Sequence, residues 1–147
     1  MNPIILATDG SPSAADATTQ AVELARATGA KLIVVSVWHA GLTTYSASLT
    51  GGLPESKRAA KEQACEAAGA AVEVARAAGI EAESFVLEGD AVHRICESVA
   101  DTGASLLVVG SHRFGRVRRL IPGSVSTALL HHAPCPVLVV RPLAEAA

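Results

Sequence analysis

Two short segments in the last third of the chain combine glycine and serine in a way that suits anion binding. Residues 110–113 read Gly-Ser-His-Arg, and residues 123–126 read Gly-Ser-Val-Ser at the start of a predicted helix. Glycine lets a backbone approach a ligand closely and adopt positive φ, and a helix N-terminus offers free N–H groups and partial positive charge. The intervening stretch carries Arg113, Arg116, Arg118 and Arg119. A phosphate fits this chemistry, although a solvated loop or a partner-docking segment would look the same.

A second candidate segment is Ala7-Thr8-Asp9-Gly10-Ser11, which follows the first apolar run of the chain. At the end of a strand, the Asp9 carboxylate could meet a ligand. Two structural roles compete with that interpretation, because aspartate in such a position also forms Asx-turns and caps helices. Gly110 and Gly123 have a similar alternative, which is to end a strand and to open a helix.

The elements that must position these segments alternate between short apolar runs and amphipathic helical patterns. Most of the runs are continuous, which is typical of parallel strands covered on both faces. The sequence therefore predicts an α/β fold: a doubly wound, Rossmann-like parallel sheet of five strands with helices on both faces. The predicted strands are residues 4–7, 32–38, 81–87 (at a sheet edge), 105–109 and 136–140.

Capping residues delimit the predicted helices. Ser11 suits the N-cap of the first helix, with Pro12 in its first position and Gly29 at its end. Gly79 ends an Ala-rich second helix, and Asp90 caps the third. Ligands of doubly wound sheets bind beyond the carboxyl ends of the strands, where the winding direction reverses. We therefore expect the two candidate segments to meet at that point.

The composition limits the classes to which the chain can belong. Its 147 residues suit one domain over residues 1–147, and with only 3% aromatic residues the core must be aliphatic. A net charge of −2 argues against nucleic-acid binding, and no apolar run is long enough to cross a membrane. The three scattered cysteines argue against a disulfide framework or a zinc site. Because the N-terminus does not resemble a signal peptide, we expect a cytoplasmic protein.

Four blocks of the sequence resemble the universal stress protein family. Residues 110–124 resemble the family's glycine signature, G-x2-G-x9-G-(S/T), and residues 4–11, 88–91 and 133–140 resemble other family blocks in the same order. The similarity covers nearly the whole chain. The signature is broken at one position, because Arg113 stands where the pattern has glycine.

The resemblance implies a stress-response protein that binds ATP or a related adenine nucleotide, with or without Mg, as a regulatory ligand. It implies that Asp9 meets the nucleoside end or a metal, that Val37 packs on the base, and that the helix at Gly123 takes phosphates. The predicted nucleotide-binding residues are Ala7, Thr8, Asp9, Val37, Val109, Gly110, His112, Arg113, Gly123, Ser124, Val125 and Ser126. No HExxH, GxSxG or Walker A motif occurs in the sequence, so we expect no enzyme beyond slow ATP hydrolysis.

Arg113 separates two functional hypotheses. Its guanidinium could supply a bidentate phosphate contact in place of backbone N–H groups. It could instead fill the phosphate space, which would leave a nucleotide-free dimeric interaction protein whose partners, not identified by the sequence, contact its surface. A third hypothesis, a nucleotide hydrolase or transferase, requires turnover that is lost when Asp9 is removed.

The last predicted strand suggests a homodimer. Its residues are Pro136, Val137, Leu138, Val139 and Val140, and an apolar strand at a sheet edge would leave backbone groups unpaired. The resemblance implies that two copies pair these strands antiparallel. Such an interface is two-fold symmetric, which is the commonest symmetry among oligomers.

Overall fold

Strands and helices alternate along the chain in a computed structural model, which describes residues 2–39, 53–111 and 124–142, with the backbone alone at 53–56 and 124. The strands are β1 (Ile4–Ala7), β2 (Leu32–Trp38), β3 (Ala82–Glu88), β4 (Leu106–Gly110) and β5 (Val137–Val140). The helices are α1 (Pro12–Thr28), α2 (Leu53–Ala77), α3 (Ala91–Thr102) and α4 (Ser124–His132). In the described ranges, no helix is both long and apolar enough to cross a membrane.

The five strands form one parallel sheet in the order β3-β2-β1-β4-β5. The chain winds outward from β1 to β3 and then crosses to β4 and β5 on the other side. Helices α1 and α2 pack on one face of the sheet, for example through Ala21 and Ala71, and α3 and α4 pack on the other through Ile95 and Leu129. The predicted doubly wound α/β fold is confirmed.

The predicted caps delimit two of the helices. The Ser11 hydroxyl accepts a hydrogen bond from the Ala14 amide at 3.3 Å, and the Asp90 carboxylate accepts one from the His93 amide at 2.9 Å. Gly29 ends α1 with φ of 77°, in the left-handed region where glycine carries no steric penalty. Local sequence chemistry therefore fixes where these helices begin and where α1 ends.

Three predicted boundaries differ from the structure. Gly110 is the last residue of β4 and pairs with Val140, so it does not follow the strand as predicted. Pro136 lies just before β5, because proline has no N–H to contribute to a ladder, although its carbonyl accepts the Leu107 amide at 3.0 Å. The edge strand β3 is shifted by one residue and includes Glu88. The loop predicted after His39 falls on residues 40–52, outside the described part of the chain.

Candidate functional site

A cavity of about 220 Å³ opens at the carboxyl ends of β1, β2 and β4. Strand β1 is followed by α1, which packs on one face of the sheet. Strand β4 lies beside β1, and the next described helix, α4, packs on the opposite face. This is the position at which ligands bind in doubly wound sheets. The lining residues are Ala7, Thr8, Asp9, Ser11, Ser13, Ala14, Val35, Val37, Ala91, Ile95, Val109, Gly110, Val125 and Ser126.

The turn between β1 and α1 forms one wall of this cavity and is held by its own side chains. The Gly10 amide donates to the Thr8 hydroxyl at 3.2 Å, and the Ser11 amide donates to Asp9 Oδ1 at 2.9 Å. Gly10 has φ of 82°, and a Cβ there would lie 3.2 Å from the Cβ of Ala67 on α2. Asp9 therefore makes the Asx-turn that the sequence allowed, and it also lines the cavity.

Gly110 lets α1 sit directly on the end of β4. A Cβ built on Gly110 would lie 2.7 Å from the carbonyl oxygen of Ser13 and 2.9 Å from its hydroxyl oxygen. Its φ is not among the positive values found for glycines in the described ranges. Access to positive φ, one of the two general properties of glycine considered for this segment, is therefore not used at Gly110, and close packing against Ser13 is what requires glycine. This packing brings the first turn of α1 to the cavity.

The first turns of α3 and α4 form the opposite side of the cavity. Val125 and Ser126 follow the first residue of α4, and Ser126 is only 6% exposed. Ala91 and Ile95 reach the cavity from α3, immediately after the Asp90 cap. Backbone N–H groups in the first turn of a helix have no partner within the helix, so this side of the cavity favours negative charge.

The described residues bring one charged side chain to the cavity. Among those that line it, Asp9 alone has a carboxyl, amino, guanidinium or imidazole group. No group of three or more His, Cys, Asp or Glu side chains that could hold a metal ion occurs in the described ranges. The polar side-chain groups that the described residues bring to the cavity are therefore the Asp9 carboxylate and the hydroxyls of Thr8 and the lining serines.

The cysteines do not supply a nucleophile to this site. All three are free thiols, and none lines the cavity. Burial raises the pKa of the Cys96 thiol, and burial together with the nearby Cys96 raises the pKa of the Cys135 thiol. Because thiolate is the reactive form, raised pKa values make these two groups less nucleophilic.

The structure brings eight of the predicted binding residues together around the cavity: Ala7, Thr8, Asp9, Val37, Val109, Gly110, Val125 and Ser126. Ser124 begins α4, but its side chain is outside the description. His112, Arg113 and Gly123 also lie outside the described ranges. Their predicted roles remain predictions.

Sequence reasoning missed six lining residues. They are Ser11, Ser13, Ala14, Val35, Ala91 and Ile95. Val35 had a usable signal, because it lies two positions before Val37 and a strand presents such residues on the same face. The two serines and Ala14 follow the predicted turn closely, but their position over β4 depends on a contact between distant parts of the chain.

Comparison with known proteins gives consistent matches. The universal stress protein family matches residues 1–141. The universal stress protein YxiE of Bacillus subtilis is 33% identical over 147 residues, covering 95% of this chain and 99% of its own. The structure of the universal stress protein UspA of Lactobacillus plantarum superposes with a TM-score of 0.80 at 24% identity, over 95% of this chain and 98% of that one. A universal stress protein in complex with cAMP has a TM-score of 0.68 at 26% identity, over 95% and 96% of the two chains.

Proposed function

The chain belongs to the universal stress protein family, and on that premise we propose that it binds an adenine nucleotide in the cavity between β1 and β4. The observation that carries this proposal is the arrangement of the cavity, in which an apolar wall, the Asp9 carboxylate and the first turn of α4 surround one space. The related protein in complex with cAMP, at 26% identity, supports the choice of ligand class.

Each side of the cavity suits a different part of a nucleotide. Val35, Val37 and Ile95 provide an apolar surface against which a base packs. The Asp9 carboxylate accepts hydrogen bonds from ribose hydroxyls. The first-turn amides of α4 and the Ser126 hydroxyl face the phosphate, where the partial positive charge of the helix end stabilises an anion.

The proposed role of the ligand is regulatory. A hydrolase would need an acid, a base or a nucleophile placed on the phosphate, and Asp9 is the one ionisable group that the described residues bring to the cavity. We therefore infer a stress-response protein whose bound state is read by a partner, with at most slow ATP hydrolysis. Its free cysteines are compatible with a reducing, cytoplasmic environment.

The proposal also includes a homodimer formed through β5. This strand is the last in the sheet order, and its four residues are all apolar. A strand in that position has backbone groups that no described neighbour pairs on its outer side, which favours pairing with a second copy.

Calorimetric titration with AMP, cAMP and ATP–Mg tests the nucleotide proposal. Val125→Glu places a carboxylate in the first turn of α4, where the helix tolerates negative charge but a phosphate is repelled. We expect this variant to bind at least about tenfold more weakly, which corresponds to about 1.4 kcal/mol. Val125→Gln introduces a side chain of the same size as glutamate but without its charge, and we expect its affinity for the nucleotide to stay within about twofold of that of the wild type.

A second pair of variants separates the charge of Asp9 from its turn. Asp9→Asn keeps an oxygen that can accept the Ser11 amide, whereas Asp9→Ala loses both the acceptor and the charge. Weaker binding by both variants supports a direct contact with the ligand. Absence of heat from the folded wild type with every nucleotide would overturn the proposal, and Arg113→Gly would then test whether that arginine fills the phosphate space.

A further inference from the structure

The sheet face at β3 is incompletely covered on the α3 side. Helix α3 packs mainly on β2 and α4, so none of the described helices lies over the outermost strand on this face. Phe85 and Leu87 point to this side, because they pair with Val35 and Val37 of the α3-side core. Phe85 is 38% exposed, and beside it a cavity of about 230 Å³ separates β3 from α3. An aromatic ring is thus available at the edge of the sheet.

The backbone of β3 also presents unused hydrogen-bonding groups. The Glu81 carbonyl accepts the Leu32 amide and the Gly89 amide donates to Trp38, so the odd-numbered residues of this segment face β2. In a parallel ladder the alternate residues then direct their N–H and C=O outward. The first outward carbonyl, that of Ala82, accepts a hydrogen bond from the Arg76 guanidinium at 3.0 Å. No described residue outside the strand does the same for Ser84, Val86 or Glu88.

The surface around this edge is acidic. Lys31 pairs with Glu83 and Glu81, and the hydrogen bond with Glu83 raises the Lys31 pKa, so that this lysine is committed to its own partners. Arg94 is likewise paired with Glu97. Glu88 and Asp101 are exposed and form no ion pair within the described ranges. Asp101 lines the same cavity as Phe85, whereas the side chain of Glu88, which alternates with Leu87 along β3, is on the opposite face of the sheet. The uncompensated charge beside the exposed ring is therefore that of Asp101 and is negative.

We propose that this surface docks an extended basic segment of a partner protein by strand addition. The surface, named here the β3 edge surface, comprises Ser84, Phe85, Val86, Leu87 and Glu88 of β3 together with Glu97 and Asp101 of α3. The partner's backbone pairs with the outward groups of β3, and an apolar side chain packs on Phe85 and Leu87. A Lys or Arg on that same face of the partner strand meets Asp101, and one on its opposite face meets Glu88. Added strands gain affinity from main-chain hydrogen bonds and specificity from alternate side chains.

A second copy of this chain is a poorer occupant of the β3 edge surface. A two-fold contact places the same patch on both subunits, so it would oppose Glu88 and Asp101 to the carboxylates of the other copy. Like charges brought together across an interface cost several kcal/mol and select against the wrong partner. A basic segment would instead place opposite charges together, so charge complementarity favours a basic partner over a second copy of this chain.

A labelled peptide tests the proposal directly. The probe is an acetylated, amidated heptapeptide with lysine, valine, valine and lysine at its odd positions and threonine at its even positions. Residues two apart in a strand share a face, so its lysines and valines can face Asp101 and Phe85 together. Its binding to the full chain is followed by fluorescence anisotropy. Ser84→Pro removes an outward N–H without breaking a hydrogen bond to β2, whereas Ser84→Ala keeps that N–H. We expect Ser84→Pro to weaken binding at least about fivefold and Ser84→Ala to leave it within about twofold.

If the Ser84→Pro protein does not fold, variants that change surface charge still test the proposal. Asp101→Lys reverses the charge on the β3 edge surface, and Glu23→Lys makes the same change at an exposed site on α1. We expect at least about fivefold weaker binding for the first and little change for the second. An equal loss in both variants means non-specific charge attraction and overturns the proposal. So does tight binding of the same peptide with glutamate in place of lysine, unchanged binding by folded Ser84→Pro, or self-association that Ser84→Pro abolishes.

Discussion

Gly110 holds the first turn of α1 against the end of β4, and we expect its replacement to affect both stability and ligand binding. In Gly110→Ala the new methyl carbon would lie 2.7 Å from the Ser13 carbonyl oxygen, so α1 must move. Overpacking of this kind costs about 1–3 kcal/mol of the free energy of unfolding. Urea denaturation measures that loss, and calorimetry should show weaker nucleotide binding because Ser13 and Ala14 line the cavity.

Gly69 offers a matched control for this substitution. It lies inside α2, and a Cβ built there has no atom within 4 Å. Gly69→Ala should therefore stabilise the protein by about 0.5–1 kcal/mol, because alanine favours the helix. A Gly110→Ala protein that is as stable as the wild type would show that the contact with Ser13 relaxes at no cost.

The contrast between Asp9 and Gly110 shows how far single residues could be predicted. Asp9 was assigned either to a turn or to a ligand from its local neighbours, and it serves the Asx-turn while lining the cavity. Gly110 was predicted to let the backbone approach a ligand; it lines the cavity, and the close approach seen there is to Ser13. Its contact with Ser13 joins segments far apart in the sequence, and only the packing of α1 over β4 brings them together.

The Asp90 cap connects the stability of α3 to the cavity that α3 lines. Its carboxylate accepts the His93 amide at 2.9 Å, which satisfies one of the free donors of the first turn. We expect Asp90→Ala to lower the free energy of unfolding by about 1 kcal/mol, measured by urea denaturation. Asp90→Asn should remain close to the wild type, because asparagine caps helices equally well. A similar loss in both variants would assign the effect to charge and not to the cap.

Helices and strands with strong local signals were predictable, and those whose limits depend on neighbours were less so. Ser11, Gly29 and Asp90 mark helix ends through their own chemistry, and the structure confirms each of them. The limits of β3 and β4 depend on pairing, since Glu88 faces Trp38 and Gly110 faces Val140. Pairing partners cannot be read from a run of apolar residues, which explains these boundary errors.

The order of the strands gives the molecule its cavity and its two contrasting edges. Placing β1 and β4 side by side in the middle of the sheet opens a crevice, because the connections after them lead to opposite faces. The same order leaves β3 and β5 as the outer strands. The alternation of runs predicted the sheet, and the resemblance supplied the expected pairing of β5. The charge pattern around β3 appeared only once α3 was placed beside it.

The apolar outer strand β5 should make the protein a dimer, and one backbone group can test this. The Leu107 amide donates to Pro136 and the Ser111 amide to Val140, so the even-numbered residues face β4 and the Val139 N–H points outward. Val139→Pro therefore removes an outward donor without breaking the hydrogen bonds between β4 and β5. We expect this variant to sediment as a monomer in sedimentation velocity at tens of micromolar protein, whereas Val139→Ala should stay dimeric. Ser84→Pro, on the opposite edge, should also stay dimeric. A wild-type protein that sediments as a clean monomer would refute this assembly.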